Sequence, residues 1–175
     1  MNTKYKKILN IRKELYIKQK PLYSDKEIIN WYFKIVKTSK VKVKKINLKD
    51  CQGWEFSKNL IKHKSNKFFK VEGIRVIKSF KREIENGWDQ PILTEPSYKG
   101  GILGLMRKNI NGFPHYLVNA KFEPGNYKLI QLSPTLQATF SNISRAHKGN
   151  SPKFLKYFTN PKKNKCEIIF KQWFS

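Results

Sequence analysis

Apolar residues recur at helical spacing shortly after residue 24. Ser24, followed three residues later by Glu27, is typical of a capping box, in which each side chain bonds the backbone amide of the other residue. The sequence therefore predicts a helix over residues 25–36. We expect its apolar stripe to pack in a core or at an interface; the stripe consists of Ile28, Trp31, Tyr32 and Ile35.

Strand patterns dominate much of the remaining chain. Adjacent Pro and Gly residues predict a turn at residues 123–126, so the strands on either side form a hairpin. Residues 87–96 lack periodicity and are predicted to be a loop, whereas alternating Val and Lys over residues 38–49 indicate an exposed strand. We expect an α+β fold with a mixed or antiparallel sheet packed with helices, built from residues 68–77, 101–107, 114–122, 127–132 and 166–170.

A second helix is predicted over residues 134–146, with Ser133 as its cap and Pro134 at the first helical position. Its apolar residues at helical spacing are Leu136, Phe140 and Ile143. The other positions are mostly neutral hydrogen-bonding residues, although the chain is otherwise rich in Lys. Such a face either meets solvent or contacts a polar, uncharged ligand such as a sugar.

The chain divides into a basic N-terminal arm or weak helix, residues 1–22, and a single module, residues 23–175. The two cysteines, Cys51 and Cys166, do not form a disulfide scaffold or a metal-binding spacing. We find no signal peptide and no membrane span in the sequence, so we expect a cytoplasmic protein that does not contact membranes.

The formal charge of +25, from 37 Lys and Arg against 12 Asp and Glu, raises the question of a polyanion partner. Nearly all of the cations are Lys, and they are scattered over the first 85 residues and the tail. An AT-rich genome tends to give such a composition. A solvated basic surface is therefore the favoured interpretation, and nucleic acid is an unlikely partner, with Trp31, Tyr32 and Phe33 as its best support.

Several motifs occur in order between residues 54 and 158: QPIL, GILGLMR, YLVNAKFEPGN, QLSPTLQATFSN, and His147 followed by Gly149. In this order and spacing they resemble the NDP-hexose 2,3-dehydratase family of deoxysugar biosynthesis. The resemblance implies a Nudix-like module. The family's chains contain two such modules, so this chain looks like a single-module, C-terminally truncated relative.

The resemblance implies a lyase that removes water across carbons 2 and 3 of a nucleotide-linked 4-keto-6-deoxyhexose. This chemistry requires a base for the carbon 3 hydrogen, donors for the enolate oxygen and an acid for the leaving hydroxyl, but no redox cofactor and no obligatory metal. Lys121 and Glu123 lie two residues apart on one predicted strand, so they share a face. Together with His147 they are the candidate catalytic residues; a local ion pair between the first two is the alternative.

Further residues are candidates for substrate binding. Neutral side chains of the family motif suit hydroxyl and diphosphate recognition, arginines suit phosphate, and an indole could stack on the base or pack in the core. Amides at a helix start near residue 133 could also hold phosphate oxygens. The candidates are Trp88, Gln90, Arg107, His115, Asn126, Gln131, Ser133, Thr135, Gln137, Thr139, Asn142 and Arg145.

Two further interpretations are compatible with the sequence. The chain could be a catalytically inactive or partial sugar-nucleotide-binding module, which would bind the ligand without releasing water. Less favoured is a basic nucleic-acid-binding protein, whose affinity should fall steeply with salt. Because a double-module relative would cover the apolar stripe of residues 28–35, we expect a homodimer or a larger homo-oligomer.

Overall fold

The computed structural model describes residues 3–14, 16, 21–78, 84, 86–95 and 100–172. It is a mixed α and β protein in which the pairs β1–β2, β2–β3, β3–β4, β6–β7 and β8–β9, whose bounds are given below, are antiparallel. The helices are α1 (Thr3–Glu14), α2 (Asp25–Thr38), α3 (Phe140–Ile143) and α4 (Leu155–Thr159), with 3-10 turns at Leu48–Asp50 and Lys162–Asn164. The strands are β1 (Trp54–Phe56), β2 (Leu60–His63), β3 (Lys70–Val76), β4 (Trp88–Thr94), β5 (Ile102–Gly104), β6 (Met106–Ile110), β7 (Phe113–Leu117), β8 (Asn119–Phe122), β9 (Ile130–Ser133) and β10 (Leu136–Ala138).

The strands form one four-stranded sheet, in the order β1-β2-β3-β4, and three two-stranded ladders, β10 with β5, β6 with β7 and β8 with β9. The chain divides into two compact units. Unit 1 contains Met1–Val41, Leu103–Gln137 and Pro152–Ser175, and unit 2 contains Lys42–Ile102 and Ala138–Ser151. This division does not test the predicted boundary between residues 22 and 23, which stays a prediction.

The helix predicted over residues 25–36 is confirmed as α2, and the predicted capping box is present. The Ser24 side chain accepts from the Glu27 amide, and the Glu27 carboxylate accepts from the Ser24 amide over 2.8 Å. This backbone bond from Ser24 lowers the pKa of the Glu27 carboxyl. Within unit 1, the Tyr32 hydroxyl donates to the Ile130 carbonyl over 2.9 Å and so ties the helix to the β8–β9 hairpin. The weakly helical arm predicted before residue 21 contains α1.

The prediction of a loop over residues 87–96 is wrong, because β4 pairs with β3 along all seven of its residues. Pro91 obscured the strand, since a proline cannot donate to a ladder. β4 lies at the edge of its sheet, where the missing donor costs no pairing on the outer side. Across this pair, Arg75 donates to both carboxylate oxygens of Asp89, over 2.8 and 2.7 Å.

Four other strand predictions need correction. The exposed strand predicted over residues 38–49 has no ladder partner, and the strand predicted over 166–170 is irregular backbone. The segments 101–107 and 114–122 are each divided, at Leu105 and Val118, into two short strands that pair with different partners. Unbroken apolar runs hide such breaks, because a change of ladder leaves no trace in the alternation.

The helix predicted over residues 134–146 is also wrong. Ser133 is the last residue of β9 rather than a helix cap, and the only helix in this range is the single turn α3, which follows Thr139. No helix start therefore lies at residue 133, and the amide donors that it would have offered to phosphate are not arranged there.

Burial explains why this segment is extended. Leu136 and Ala138 are 3% and 5% exposed, while Gln137 between them is exposed, which is the period of a strand and not of a helix. Thr135 and Thr139 flank the strand, and β-branched residues favour extended backbone. Of the apolar positions that suggested a helix, Leu136 is thus buried by alternation along a short strand, whereas Phe140 and Ile143 lie in the single turn α3.

A glycine allows α4 to pack within unit 1. A Cβ atom at Gly104 would lie 2.2 Å from Cε1 of Phe158, so only glycine leaves room for this aromatic ring. None of the helices in the described ranges is long and apolar enough to cross a membrane.

Candidate functional site

The β8–β9 hairpin of unit 1 separates polar from apolar side chains. Lys121 lies opposite Gln131 and Asn119 lies opposite Ser133, so these four residues share one face. The intervening pairs, Ala120 with Leu132 and Phe122 with Ile130, lie on the other face, where Ile130 is only 6% exposed. Four polar side chains of the motifs are thereby presented on a single surface.

Lys121 is the centre of this polar face. Its Nζ lies 2.5 Å from Oε1 of Glu123 and donates to the carbonyl of Gln137 over 2.6 Å. The side chains of Lys121 and Glu123 are 27% and 38% exposed, so both are partly shielded from water. An ammonium has three donors, and the third N–H of Lys121 can point to a ligand oxygen.

The turn between the strands is longer than the sequence predicted, because β9 begins at Ile130 and not at residue 127. The Glu123 amide donates to the Leu129 carbonyl over 2.9 Å, which closes the turn below the carboxylate. The Asn126 side chain donates to the carbonyls of Lys121 and Leu129 over 3.3 and 3.4 Å. Asn126 therefore braces the backbone that positions the lysine and the glutamate.

Two motif hydroxyls also bond within unit 1. Thr135 is 1% exposed; its hydroxyl accepts from the Met106 amide over 2.8 Å and donates to the Leu117 carbonyl, so Thr135 ties three strand segments together. Ser133 donates to the carbonyl of Pro134 over 3.1 Å. Gln131 and Gln137, by contrast, are exposed.

Arg107 and His115 lie on β6 and β7 and have partners from the N-terminal region. An Nη2 donor of Arg107 pairs with the Glu14 carboxylate, and Nε2 of His115 accepts from the Leu22 amide over 3.2 Å. Because Arg107 is opposite Tyr116, and His115 is opposite Lys108, the two predicted substrate-binding residues lie on opposite faces of the hairpin.

His147 belongs to unit 2, where it is part of an aromatic cluster. Its ring lies 4.7 Å from that of Phe68, and the Phe68 ring lies 4.5 Å from the ring of His63. Nδ1 of His63 accepts from the Ser65 amide over 3.2 Å. These contacts place one of the candidate catalytic residues in unit 2, whereas Lys121 and Glu123 lie in unit 1.

The remaining candidates also lie in unit 2. The Trp88 indole donates to the Gln90 side chain over 2.8 Å, on the outer strand β4. The Arg75 guanidinium holds the pKa of the neighbouring Asp89 carboxyl below its usual range. Thr139 shares a hydrogen bond of 2.9 Å with Ser141.

Asn142 lies in the single turn α3, and Arg145 follows that turn. Arg145 Nε donates to the Gly149 carbonyl over 3.0 Å, so the predicted phosphate partner closes its own loop. Asn142 is half-buried, and its backbone N–H donates to the Thr139 carbonyl over 3.1 Å.

Two features were missed by sequence reasoning. Asn119 lies on the polar face with Lys121, and the alternation N-A-K-F-E would have revealed it. Unit 2 also contains an open cavity of about 490 Å³ lined by Trp54, Glu55, Phe56, Ser57, Leu60, Lys62 and Lys64, none of which is a predicted site residue. In the described part of the chain, no three or more His, Cys, Asp or Glu residues cluster in a way that could hold a metal ion.

Comparison with known proteins assigns the chain to a family. The model of the family described as NDP-hexose 2,3-dehydratase matches residues 25–175. A dTDP-4-dehydro-6-deoxy-alpha-D-glucopyranose 2,3-dehydratase from Streptomyces violaceoruber is 36% identical over 135 residues, which cover 75% of this chain and 29% of the relative.

Two further relatives with the same enzyme name are similar to the chain. The protein from Amycolatopsis orientalis is 41% identical over 125 residues, covering 68% of this chain and 26% of its own length. The protein from Saccharopolyspora spinosa is 43% identical over 108 residues, covering 60% and 21%. The chain thus spans less than a third of the length of each of these curated relatives.

Proposed function

Because this chain belongs to the NDP-hexose 2,3-dehydratase family, we propose that it is a lyase that removes water across carbons 2 and 3 of a nucleotide-linked 4-keto-6-deoxyhexose. The three curated relatives are named for a dTDP-linked substrate of this kind, which makes dTDP-4-keto-6-deoxyglucose the concrete choice. We propose that the protein is cytoplasmic, that it acts in deoxysugar biosynthesis, and that it needs no redox cofactor and no obligatory metal.

The Lys121–Glu123 pair on the polar face of the β8–β9 hairpin carries this proposal. Elimination beside a ketone needs a base next to a fixed positive donor, and the pair supplies both within 2.5 Å. Lys121 is held by its second bond, to the Gln137 carbonyl, so its remaining donor is oriented before a substrate binds.

The residues then have defined roles in the proposed reaction. The Glu123 carboxylate takes the proton from carbon 3; the electron pair of the broken C–H bond moves to the carbon 4 ketone and forms an enolate, which the Lys121 ammonium stabilises. The enolate re-forms the ketone as the hydroxyl leaves carbon 2 with one proton, as water. The product enol gains its carbon–carbon double bond between carbons 2 and 3 and tautomerises to a 3,4-diketo sugar.

A proton donor must serve the departing hydroxyl. Protonated Glu123 can return the proton that it took, and His147 stays the second proposed acid on the basis of the family motif. The sugar hydroxyls would be bound by the neutral side chains on the hairpin face and its surroundings: Asn119, Gln131, Ser133, Asn126 and Gln137. Trp88, Gln90, Thr139, Asn142 and Arg145 remain proposed ligand contacts of unit 2.

We retain two architectural proposals with the functional one. The resemblance supports a Nudix-like module, to which the antiparallel ladders and the few helices are suited. It also supports a single module over residues 23–175, since the family model matches from residue 25.

The test of the proposed function is incubation of the chain with dTDP-4-keto-6-deoxyglucose, followed by mass spectrometry. We expect a product lighter by one water. Binding of the sugar nucleotide in calorimetry without loss of water would support instead the inactive or partial binding module. Neither binding nor product, from a chain shown to be folded by circular dichroism, would exclude both functions.

The assembly prediction follows from helix α2, on which none of the residues is buried. Ile29 and Phe33 are 52% and 58% exposed, and Trp31 between them is 40% exposed. An apolar surface of this kind marks a protein-protein contact, and we propose a homodimer or larger homo-oligomer. Light scattering at micromolar concentration should give at least twice the monomer mass.

A substitution on the same helix sharpens this prediction. Phe33→Asp should shift the mass to that of a monomer, because it places a charge in the apolar contact. Asn30→Asp adds the same charge at an exposed position of α2 and should leave the oligomer intact. A monomer already in the unmodified chain would contradict the prediction.

A further inference from the structure

The N-terminal arm, residues 1–22, contacts both faces of the β6–β7 hairpin in unit 1. The Glu14 carboxylate at the end of α1 pairs with Arg107 on one face. The Leu22 amide donates to His115 on the other face, over 3.2 Å. The two arm residues are eight positions apart in the chain, and each contacts a side chain on a different face of the hairpin.

The pairing leaves Arg107 incompletely bonded. Glu14 engages Nη2, whereas Nε of Arg107 is buried and has no hydrogen-bond partner among the described residues. A guanidinium presents Nε and Nη2 as a fork that matches two oxygens of a phosphate or carboxylate. Since an unsatisfied buried donor destabilises the state that contains it, a ligand with two suitably spaced oxygens would bond Arg107 better than Glu14 does.

Only one side chain of the arm can form an ion pair with a cation such as Arg107. Residues 1–22 contain seven Lys or Arg residues and one acidic residue, which is Glu14. The single carboxylate of a strongly basic segment is thus the group that lies on Arg107, whose side chain is only 16% exposed. The family model matches from residue 25, so the arm lies outside the matched range, whereas Arg107 lies within it.

We propose that Arg107 is an oxyanion site for the diphosphate of the sugar nucleotide, and that Glu14 occupies this site in the free protein as an autoinhibitory contact. The diphosphate displaces the carboxylate, bonds both Nε and Nη2, and releases α1 from the hairpin. This inference rests on the proposed function, which supplies the diphosphate ligand.

The first experiment measures the affinity for dTDP by titration calorimetry at low salt. Glu14→Gln removes the competing charge and should tighten binding about threefold to fivefold, because the fraction of chains with an accessible site rises. Glu95→Gln makes the same change in net charge at an exposed residue after β4, in unit 2, and should leave the affinity unchanged.

The second set of variants tests the arginine. Arg107→Gln should weaken dTDP binding at least tenfold, and Arg107→Lys should recover only part of the loss, since an ammonium lacks the fork. Circular dichroism must show that each variant is folded. Arg107→Lys retains the positive charge beside Glu14, which makes it the variant to interpret if Arg107→Gln does not fold.

A direct readout of the arm separates this inference from the proposed function. Saturating dTDP should accelerate amide hydrogen exchange across α1 in the unmodified chain, and Glu14→Gln should accelerate it without ligand. Binding of dTDP that leaves α1 protected, with equal affinities for Glu14→Gln and Glu95→Gln, would overturn the inference while leaving dehydration intact. Failure of dTDP to bind even Glu14→Gln would also overturn it. Release of α1 without any loss of water from the sugar nucleotide would support the site and contradict the dehydratase activity.

Discussion

Replacement of Glu123 by Gln should abolish turnover of dTDP-4-keto-6-deoxyglucose while leaving its binding almost unchanged. The amide cannot take the proton from carbon 3, and loss of a positioned general base lowers turnover by about 10² to 10⁴-fold. Gln keeps the length and hydrogen-bonding capacity of the side chain beside Lys121, so the turn and the bond to the Gln137 carbonyl should persist. The measurements are product formation by mass spectrometry and affinity by calorimetry.

The control for this prediction is Glu95→Gln, which makes the same change of charge away from the polar face. It should retain full turnover. A Glu123→Gln chain that turns over within a factor of about three of the unmodified chain would show that the 2.5 Å contact with Lys121 is only a local ion pair. Loss of both binding and turnover would assign Glu123 to substrate binding.

The β8–β9 hairpin illustrates which features the sequence carries locally. The Pro-Gly turn and the alternation of polar and apolar residues lie within fifteen residues of chain, residues 119–133. Together they specify which residues pair across the strands and on which face each side chain lies. Lys121 and Glu123 could therefore be placed on one face from spacing alone. The bond of Lys121 to the Gln137 carbonyl could not, because it depends on where the chain goes after β9.

The segment after β9 shows where local patterns mislead. Leu136, Phe140 and Ile143 have the spacing of a helix, but burial of Leu136 and Ala138 on a strand determines the conformation. Tertiary burial is worth more than intrinsic propensity over so short a stretch, since neighbouring residues differ in helix propensity by less than about 1 kcal/mol. Tertiary structure also outweighs local preference in the segment that contains Pro91, which forms a strand.

Arg107 illustrates a third case, in which the residue was recognised and its partner was not. A guanidinium in a family motif suggests a phosphate ligand, but its partner Glu14 lies 93 residues away in the chain. The periodicity of a sequence does not indicate contacts between residues so far apart in the chain. The unsatisfied Nε, which suggests a better ligand, is visible only once the contacts are known.

Among substitutions in unit 1 that conserve the shape of the side chain, replacement of Thr135 by Val should lower the free energy of unfolding most. Valine has nearly the same shape, so packing is preserved, but the hydroxyl that joins the Met106 amide to the Leu117 carbonyl is lost. A buried donor or acceptor without a partner costs about 1–3 kcal/mol, so the two together should lower the free energy of unfolding by about 2–6 kcal/mol. The midpoint of urea unfolding measures this change.

Thr135→Ser distinguishes this hydrogen-bond effect from packing. It keeps the hydroxyl and removes one methyl group, which should cost only about 1 kcal/mol. If Val is tolerated better than Ser, then filling the space matters more than the two hydrogen bonds. The expected order is the opposite, because at 1% exposure no water can replace the lost hydroxyl. That order would give Thr135 a structural role within the family motif: it fixes β6 and the end of β7 to the chain that follows the Lys121–Glu123 hairpin.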